Sequence, residues 1–136
     1  MPKAKEFRIT IADKPGALGK CFSALGERGV NILGFQSYVE EGESLARVLV
    51  DDPAGAKEVL SSLRMNYEAT DVVVVRLAHR AGELGRAASR LGEKGINIDY
   101  SYCGLEAGSM QGLAVFGVDS LTKAATVLDE LAAENR

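Results

Sequence analysis

Few side chains in this sequence can do covalent or metal chemistry. His79 is the one histidine among 136 residues, and the two thiols, Cys21 and Cys103, match no metal-ligand spacing. Both are read as buried or idle thiols, because free Cys behaves as a small hydrophobe. No serine, histidine and acid stand in a recognisable nucleophilic context, and no glycine-rich loop ends in Gly-Lys-Ser or Gly-Lys-Thr. Catalysis, a bound metal and a cofactor are therefore not expected. What stands out instead is a pair of polar stretches punctuated by glycine, "DKPGALGK" from Asp13 and "HRAGELGR" from His79.

These stretches belong to a longer repeat. Ala12–Ile32 laid over Ala78–Ile98, a shift of 66 positions, needs no gap. Ala12, Gly16, Leu18, Gly19, Ser23, Leu25, Gly26, Glu27, Gly29, Asn31 and Ile32 recur as Ala78, Gly82, Leu84, Gly85, Ser89, Leu91, Gly92, Glu93, Gly95, Asn97 and Ile98. Lys14/Arg80, Lys20/Arg86, Arg28/Lys94 and Val30/Ile96 are conservative pairs. Two copies at this period mark a duplicated module rather than a solenoid.

Each copy reads as the same series of elements. "FRITI" alternates with Phe7, Ile9 and Ile11 on one face, which is a strand. Pro15 suits a helix first turn, Leu18, Cys21, Phe22 and Leu25 follow at helical spacing, and Gly29 ends the helix. "VNILGFQSYVE" is a second strand, "EGES" a hairpin turn and "LARVLVD" a third strand. Pro53 opens a helix with the stripe Ala56, Val59, Leu60 and Leu63, and a last strand lies around Tyr67–Thr70. In the second copy, Val73, Val75 and Leu77 share a strand face, and Leu84, Ala87, Ala88 and Leu91 form the helix stripe. "INIDYSYCGLE", the turn "AGS" and "MQGLAVFGVD" make the next two strands, and Leu121, Ala124, Ala125, Leu128 and Leu131 the last helix. The order is βαββαβ over 1–70 and βαββα over 71–136, the second copy lacking its last strand.

A module of this size is a marginal folding unit, with a core that contributes no more than about 3–5 kcal/mol. Val72 and Val74 oppose Val73 and Val75, and Ala114, Phe116 and Val118 oppose Leu113 and Val115. Apolar residues on both faces predict that the second face is covered too, by the other sheet or by another subunit. A homo-oligomer, a dimer or larger, is expected.

Composition narrows the function. The chain is 46% hydrophobic and 26% charged, a globular profile. A net charge of −3 gives no general attraction to nucleic acid or anionic membrane. No apolar run reaches the length of a membrane span, and the N-terminal stretch has no signal-peptide core, so a cytoplasmic protein is expected.

The stretch "DKPGALGKCFSALGERGVNI" resembles the ACT domain, a small regulatory module. Its pattern is Asp or Asn, one residue, Pro-Gly, an apolar residue, a helix, then Gly-(Val/Ile)-Asn-(Ile/Val). The resemblance covers nearly the whole chain as two tandem copies and implies an α+β fold of ferredoxin-like βαββαβ modules. The second copy departs at His79 and Ala81, where the family has Asp or Asn and Pro. ACT modules bind a free amino acid, commonly between paired modules, and modulate an attached or partner enzyme. The contacts this implies are Asp13, Lys14, Pro15, Gly16, Ala17, Leu18 and Asn31, and in the second copy His79, Arg80, Ala81, Gly82, Glu83, Leu84 and Asn97. A zwitterion needs two poles. A helix N-terminus suits its carboxylate, Asp13 its ammonium, and the asparagines offer both donor and acceptor.

Each of these residues also has a plain structural reading. Gly16, Gly82, Gly29 and Gly95 serve turns and helix ends, Asn31 and Asn97 close the helix–strand turn, and Asp13 caps a helix. Tyr100 and Tyr102 line a pocket or simply pack. An RNA-recognition module of the same element order needs sheet aromatics and basic residues that "LARVLVD" and "LAVFGVD" do not supply. The expected function is a stand-alone tandem ACT protein that binds a free amino acid or similar small zwitterion and acts as a sensor or regulatory subunit. The alternative is an adaptor of the same fold that binds no ligand and modulates a partner enzyme.

Overall fold

The structure is a computed structural model that describes residues 3–105 and 111–134. The order is β1 (Lys3–Ile11), α1 (Ala17–Glu27), β2 (Ile32–Glu40), β3 (Glu43–Val50), α2 (Pro53–Ser62), β4 (Tyr67–Leu77), α3 (Glu83–Glu93), β5 (Ile98–Leu105), β6 (Gly112–Val118) and α4 (Leu121–Glu134). The expected "AGS" turn lies outside the described residues. The chain divides into two compact units, Lys5–Thr70 and the chain from Asp71 onwards, the latter including Lys3 and Ala4. The division falls inside β4, which is one continuous strand of 11 residues rather than two pieces.

In the first unit β3 lies between β1 and β2, antiparallel to both. Phe7 and Phe35 both face Val48, and Ile11 and Val39 both face Ser44. Glu41 and Gly42 turn the β2–β3 hairpin with φ of 50° and 81°, as a two-residue turn of the twist-compatible kind requires. Phe7, Ile9, Ile11, Ala46, Val48 and Val50 pack in one cluster with Cys21 and Leu25 of α1 and Ala56, Val59 and Leu60 of α2. Both helices therefore cover the same sheet face. Asp52 caps α2 by accepting from the Gly55 amide at 3.0 Å, and Pro53 follows at the first helical position. Leu63, expected in the stripe, is exposed, because the helix ends before it.

The second unit repeats the plan. β6 lies between β4 and β5, with Val73 and Ser101 both facing Phe116. Val73, Val75, Leu77, Ala114 and Phe116 pack with Ala87 and Leu91 of α3 and Ala124, Ala125, Val127, Leu128 and Leu131 of α4. The α3 stripe is displaced from the one expected. Its buried row is Glu83, Ala87 and Leu91, at four-residue spacing, while Leu84 is 51% exposed. The α1 counterparts, Ala17, Cys21 and Leu25, occupy the same row, Ala17 at its partly buried end. Glu83 tolerates this place because Arg80 Nε meets its carboxylate at 3.1 Å and Arg86 Nη1 at 4.0 Å.

Part of each far sheet face is also buried, and the buried residues differ in kind between the units. In the first unit Glu6 is fully buried. Arg47 donates from Nη1 to Glu6 Oε1 at 2.9 Å and from Nε to the Tyr38 hydroxyl at 2.8 Å. The equivalent positions of the second unit are Val72, Val115 and Gly104, and both valines are fully buried. A second exchange lies nearby. Gly34 faces Leu49 in the first unit, and Tyr100 faces Gly117 in the second. A side chain at Gly117 would run into the Tyr100 ring. In each pair one small residue makes room for one large one.

Two stability measurements follow. Leu91→Ala lowers unfolding free energy by about 2–5 kcal/mol in urea, whereas Leu84→Ala stays within about 0.5 kcal/mol. Equal losses would contradict the displaced stripe. Arg47→Met costs about 3 kcal/mol by removing a guanidinium that serves a buried carboxylate. The double change Glu6→Val with Arg47→Val copies the second unit and recovers most of that loss. If the double variant is no more stable than the single one, the pair does not act as a replaceable unit.

Candidate functional site

The strand-to-helix loop of the first unit is built by short backbone bonds. The Lys14 amide donates to the Ala12 carbonyl at 2.9 Å, Ala17 to Lys14 at 3.3 Å, and Lys20 to Gly16 at 3.0 Å. The chain can make this turn because Gly16 adopts φ 86° and ψ −10°, a left-handed conformation that costs a residue with a Cβ roughly 1–2 kcal/mol. Gly16 is thus the residue before α1, and Pro15 stands one place outside the helix rather than in its first turn. No side chain caps α1, so Asp13 does not serve as its cap. Nor does α1 carry an acid in its first turn. The contrast with α2, whose Gly55 amide donates to the Asp52 side chain, is direct.

This open helix end borders a cleft of about 580 Å³. One wall is Ile11–Gly16 with Leu18 and Gly19. The other is the β2–β3 hairpin, through Ser37, Tyr38, Val39, Ser44 and Leu45. The hairpin stands there because β1 pairs with β3 so that Ile11 meets Ser44. Tyr38 is held by its bond from Arg47, with the guanidinium 6.0 Å from the ring centre. A smaller cavity of about 350 Å³ lies against Lys14, Pro15, Gly16, Ala17 and Lys20, with Cys21, Leu63 and Met65 also in its wall. Burial pushes the Cys21 thiol up, away from the nucleophilic thiolate.

The second unit repeats the loop bond for bond. Arg80 donates to Ala78 at 2.9 Å, Glu83 to Arg80 at 3.4 Å, and Arg86 to Gly82 at 2.9 Å, with Gly82 at φ 92°. The matching cleft is about 630 Å³ and is lined by Leu77–Gly85, Cys103–Leu105 and Gly112–Ala114. Here Glu83 places a carboxylate in the first turn of α3, where the helix dipole favours it. That position is Ala17 in the first unit.

Asp13, Lys14, Pro15, Gly16 and Leu18 line the first cleft, and Ala17 the smaller cavity. His79, Arg80, Ala81, Gly82, Glu83 and Leu84 line the second-unit cleft. The asparagines are elsewhere. Asn31 sits at the start of β2, at the opposite end of the sheet from the loop. Its amide donates to Asp51 Oδ1 at 2.8 Å, and its carbonyl accepts from the Asp51 amide at 3.1 Å. The Asn97 side chain donates to Asp99 at 3.4 Å. Sequence reasoning missed the hairpin wall, Ser37, Tyr38 and Ser44 with Cys103 and Leu105 in the second unit. The signal was the register that follows from pairing "FRITI" with "LARVLVD". Arg47, a lone charge in that apolar run, pointed to a buried partner.

Among the described residues no group of three or more His, Cys, Asp or Glu could hold a metal ion, and no helix is long and apolar enough to cross a membrane.

No curated protein matches the chain. Among solved structures, a protein from Bacteroides thetaiotaomicron gives a TM-score of 0.82 at 24% identity, over 95% of this chain and 88% of its own. The regulatory subunit of aspartate kinase from Thermus thermophilus, in its ligand-free form, gives 0.59 at 21% identity, over 95% and 91%. That of Thermus flavus gives 0.59 at 21% identity, over 98% and 92%. At these identities the likeness is one of fold. The family model of the ACT domain matches residues 5–64, a span that holds most of β1, the glycine-turned loop, the β2–β3 hairpin and both helices of the first unit. The segment 5–64 therefore belongs to the ACT domain family.

Proposed function

We propose that this chain is a regulatory protein that senses a free amino acid, with the working site in the polar cleft of the first unit. The observation that carries this reading is the uncapped N-terminus of α1 beside Asp13 in an open cleft. First-turn amides suit an α-carboxylate. Asp13 suits the ammonium through a charge-assisted bond. The hairpin residues Ser37, Val39 and Ser44 then face the ligand's side chain. The cleft is of a size that accommodates a small metabolite.

In this proposal the chain is two ACT modules, 1–70 and 71–136, and the role is regulatory rather than catalytic. Two Thermus proteins of this fold are regulatory subunits of aspartate kinase, which supports a partner enzyme for this one. The protein acts in the cytoplasm as a homodimer or larger assembly. Asn31, far from its own loop, contacts a ligand only where a different module's loop is brought to it. The first unit binds the amino acid more tightly than the second, because Glu83 already occupies the helix end in the second and His79 replaces Asp13.

Thermal melting against the twenty amino acids tests the reading. A true ligand at 100 times its Kd stabilises by about 2.7 kcal/mol. By titration calorimetry Asp13→Ala weakens that binding by about 1.5–3 kcal/mol, and His79→Ala changes it by less than about 0.5 kcal/mol. A silent Asp13→Ala beside a damaging His79→Ala would reverse the assignment. Light scattering at micromolar concentration should return a multiple of 14.4 kDa. A monomer at every concentration, with or without ligand, contradicts the assembly.

A further inference from the structure

The outer face of α1 differs from that of α3, although the two helices repeat one another. Phe22, half-buried on α1, meets Phe35 of β2 edge-on, with ring centres 5.1 Å apart and planes at 80°. Phe35 is 48% exposed, on the sheet face that carries Val48 and the helices. The counterparts of this pair in the second unit are Ala88 and Ser101. We propose that the outer face of α1, with Phe35 beside it, binds a second copy of this chain, α1 running antiparallel to the partner's α1 about a two-fold axis near Ser23. This rests on the assembly proposed above and says which surface makes it.

Three observations carry it. First, two aromatic rings lie side by side with one of them half in water, and they gain by being covered. Second, the exposed residues next to them on α1 are Gly19, Ser23 and Gly26, along one helix face. Glycine inside a helix weakens it. Gly19 and Gly26 have no positive φ, and a Cβ at either would meet nothing within 4 Å. Neither backbone angle nor crowding among the described residues asks for glycine there, whereas the close approach of another backbone does. Third, charge selects the occupant. Lys20 and Glu27 stand about two turns apart on the exposed side of α1. Among the described residues neither side chain has an ion pair or a hydrogen bond. In an antiparallel pairing Lys20 meets the partner's Glu27, and Glu27 meets the partner's Lys20. A parallel pairing would set like charge against like. A surface that complements itself in this way suits a two-fold contact between identical chains. α3 keeps its glycines, Gly85 and Gly92, but lacks the rings, and its Arg86 already meets Glu134 at 2.7 Å.

Sedimentation equilibrium on the full chain, over a concentration series, reads the association constant. Lys20→Glu and Glu27→Lys should each weaken association about tenfold or more, because each sets two pairs of like charges together. An equimolar mixture of these two variants should associate as tightly as the unaltered chain to within about threefold, since both pairs are then opposite in charge. Phe35→Ser should weaken association about tenfold or more. Gly26→Gln should weaken it too, while raising the melting temperature of the dilute chain, because glutamine favours the helix and holds the partner away. Circular dichroism of each variant checks that the fold is kept. An unaltered chain that associates, beside variants that associate equally well, overturns this face and leaves the assembly reading standing. Single variants that are weakened and whose mixture is no tighter overturn the two-fold pairing. An unaltered chain that stays monomeric at every concentration overturns this face and the assembly reading together.

Discussion

The site rests on a single backbone requirement, a residue at φ 86° between β1 and α1. Gly16 meets it without strain, and the turn it makes sets the direction of α1 and leaves the helix amides at the mouth of a cleft. Gly82 does the same at φ 92° before α3. A side chain at either position would have open space around it. The glycine is therefore demanded by the backbone angle and not by crowding. The rest of the site follows from pairing. Once β1 takes its place beside β3, the β2–β3 hairpin must stand opposite the loop.

The two units share that scaffold and differ in the contents of their clefts. The helix-side cores stay close in kind, with Leu25 and Leu91 at one position and Ile11 and Leu77 at another. The far faces do not. A buried acid with a part-buried base and phenol in the first unit gives way to two valines and a glycine in the second, the kind of exchange in which a satisfied ion pair and a packed apolar cluster reach similar stability. On the cleft side of the hairpin, Ser37, Val39 and Ser44 of the first unit correspond to Cys103, Leu105 and Gly112 of the second.

Much of this was legible in the residues. The repeat is written in identical glycines and leucines, and the alternation of "FRITI" and the stripe ending at Leu25 put the strand and helix where they are. Helix phase was not legible to one residue. Leu84 outweighs Glu83 in hydrophobicity, yet Glu83 lies on the buried row because two arginines accept its charge. Continuity of β4 was hidden because Tyr67–Thr70 read as the last strand of one copy and Val73–Leu77 as the first strand of the next, although one strand runs through both. The hairpin wall was invisible because cross-strand register depends on partners distant in sequence. Asn31 was placed by its motif, and only the strand direction reveals that it stands away from its own loop.

The most direct test of an amino-acid site at the open helix end is an amide NMR titration of the full chain with the amino acid that raises its melting temperature most. Binding of the α-carboxylate there moves the amide resonances of Gly16, Ala17, Leu18 and Gly19 together, along one saturable curve, with Asp13 shifting on the same curve. Saturable shifts that leave these amides in place and appear only around the Asn31–Asp51 end of the sheet would contradict the account.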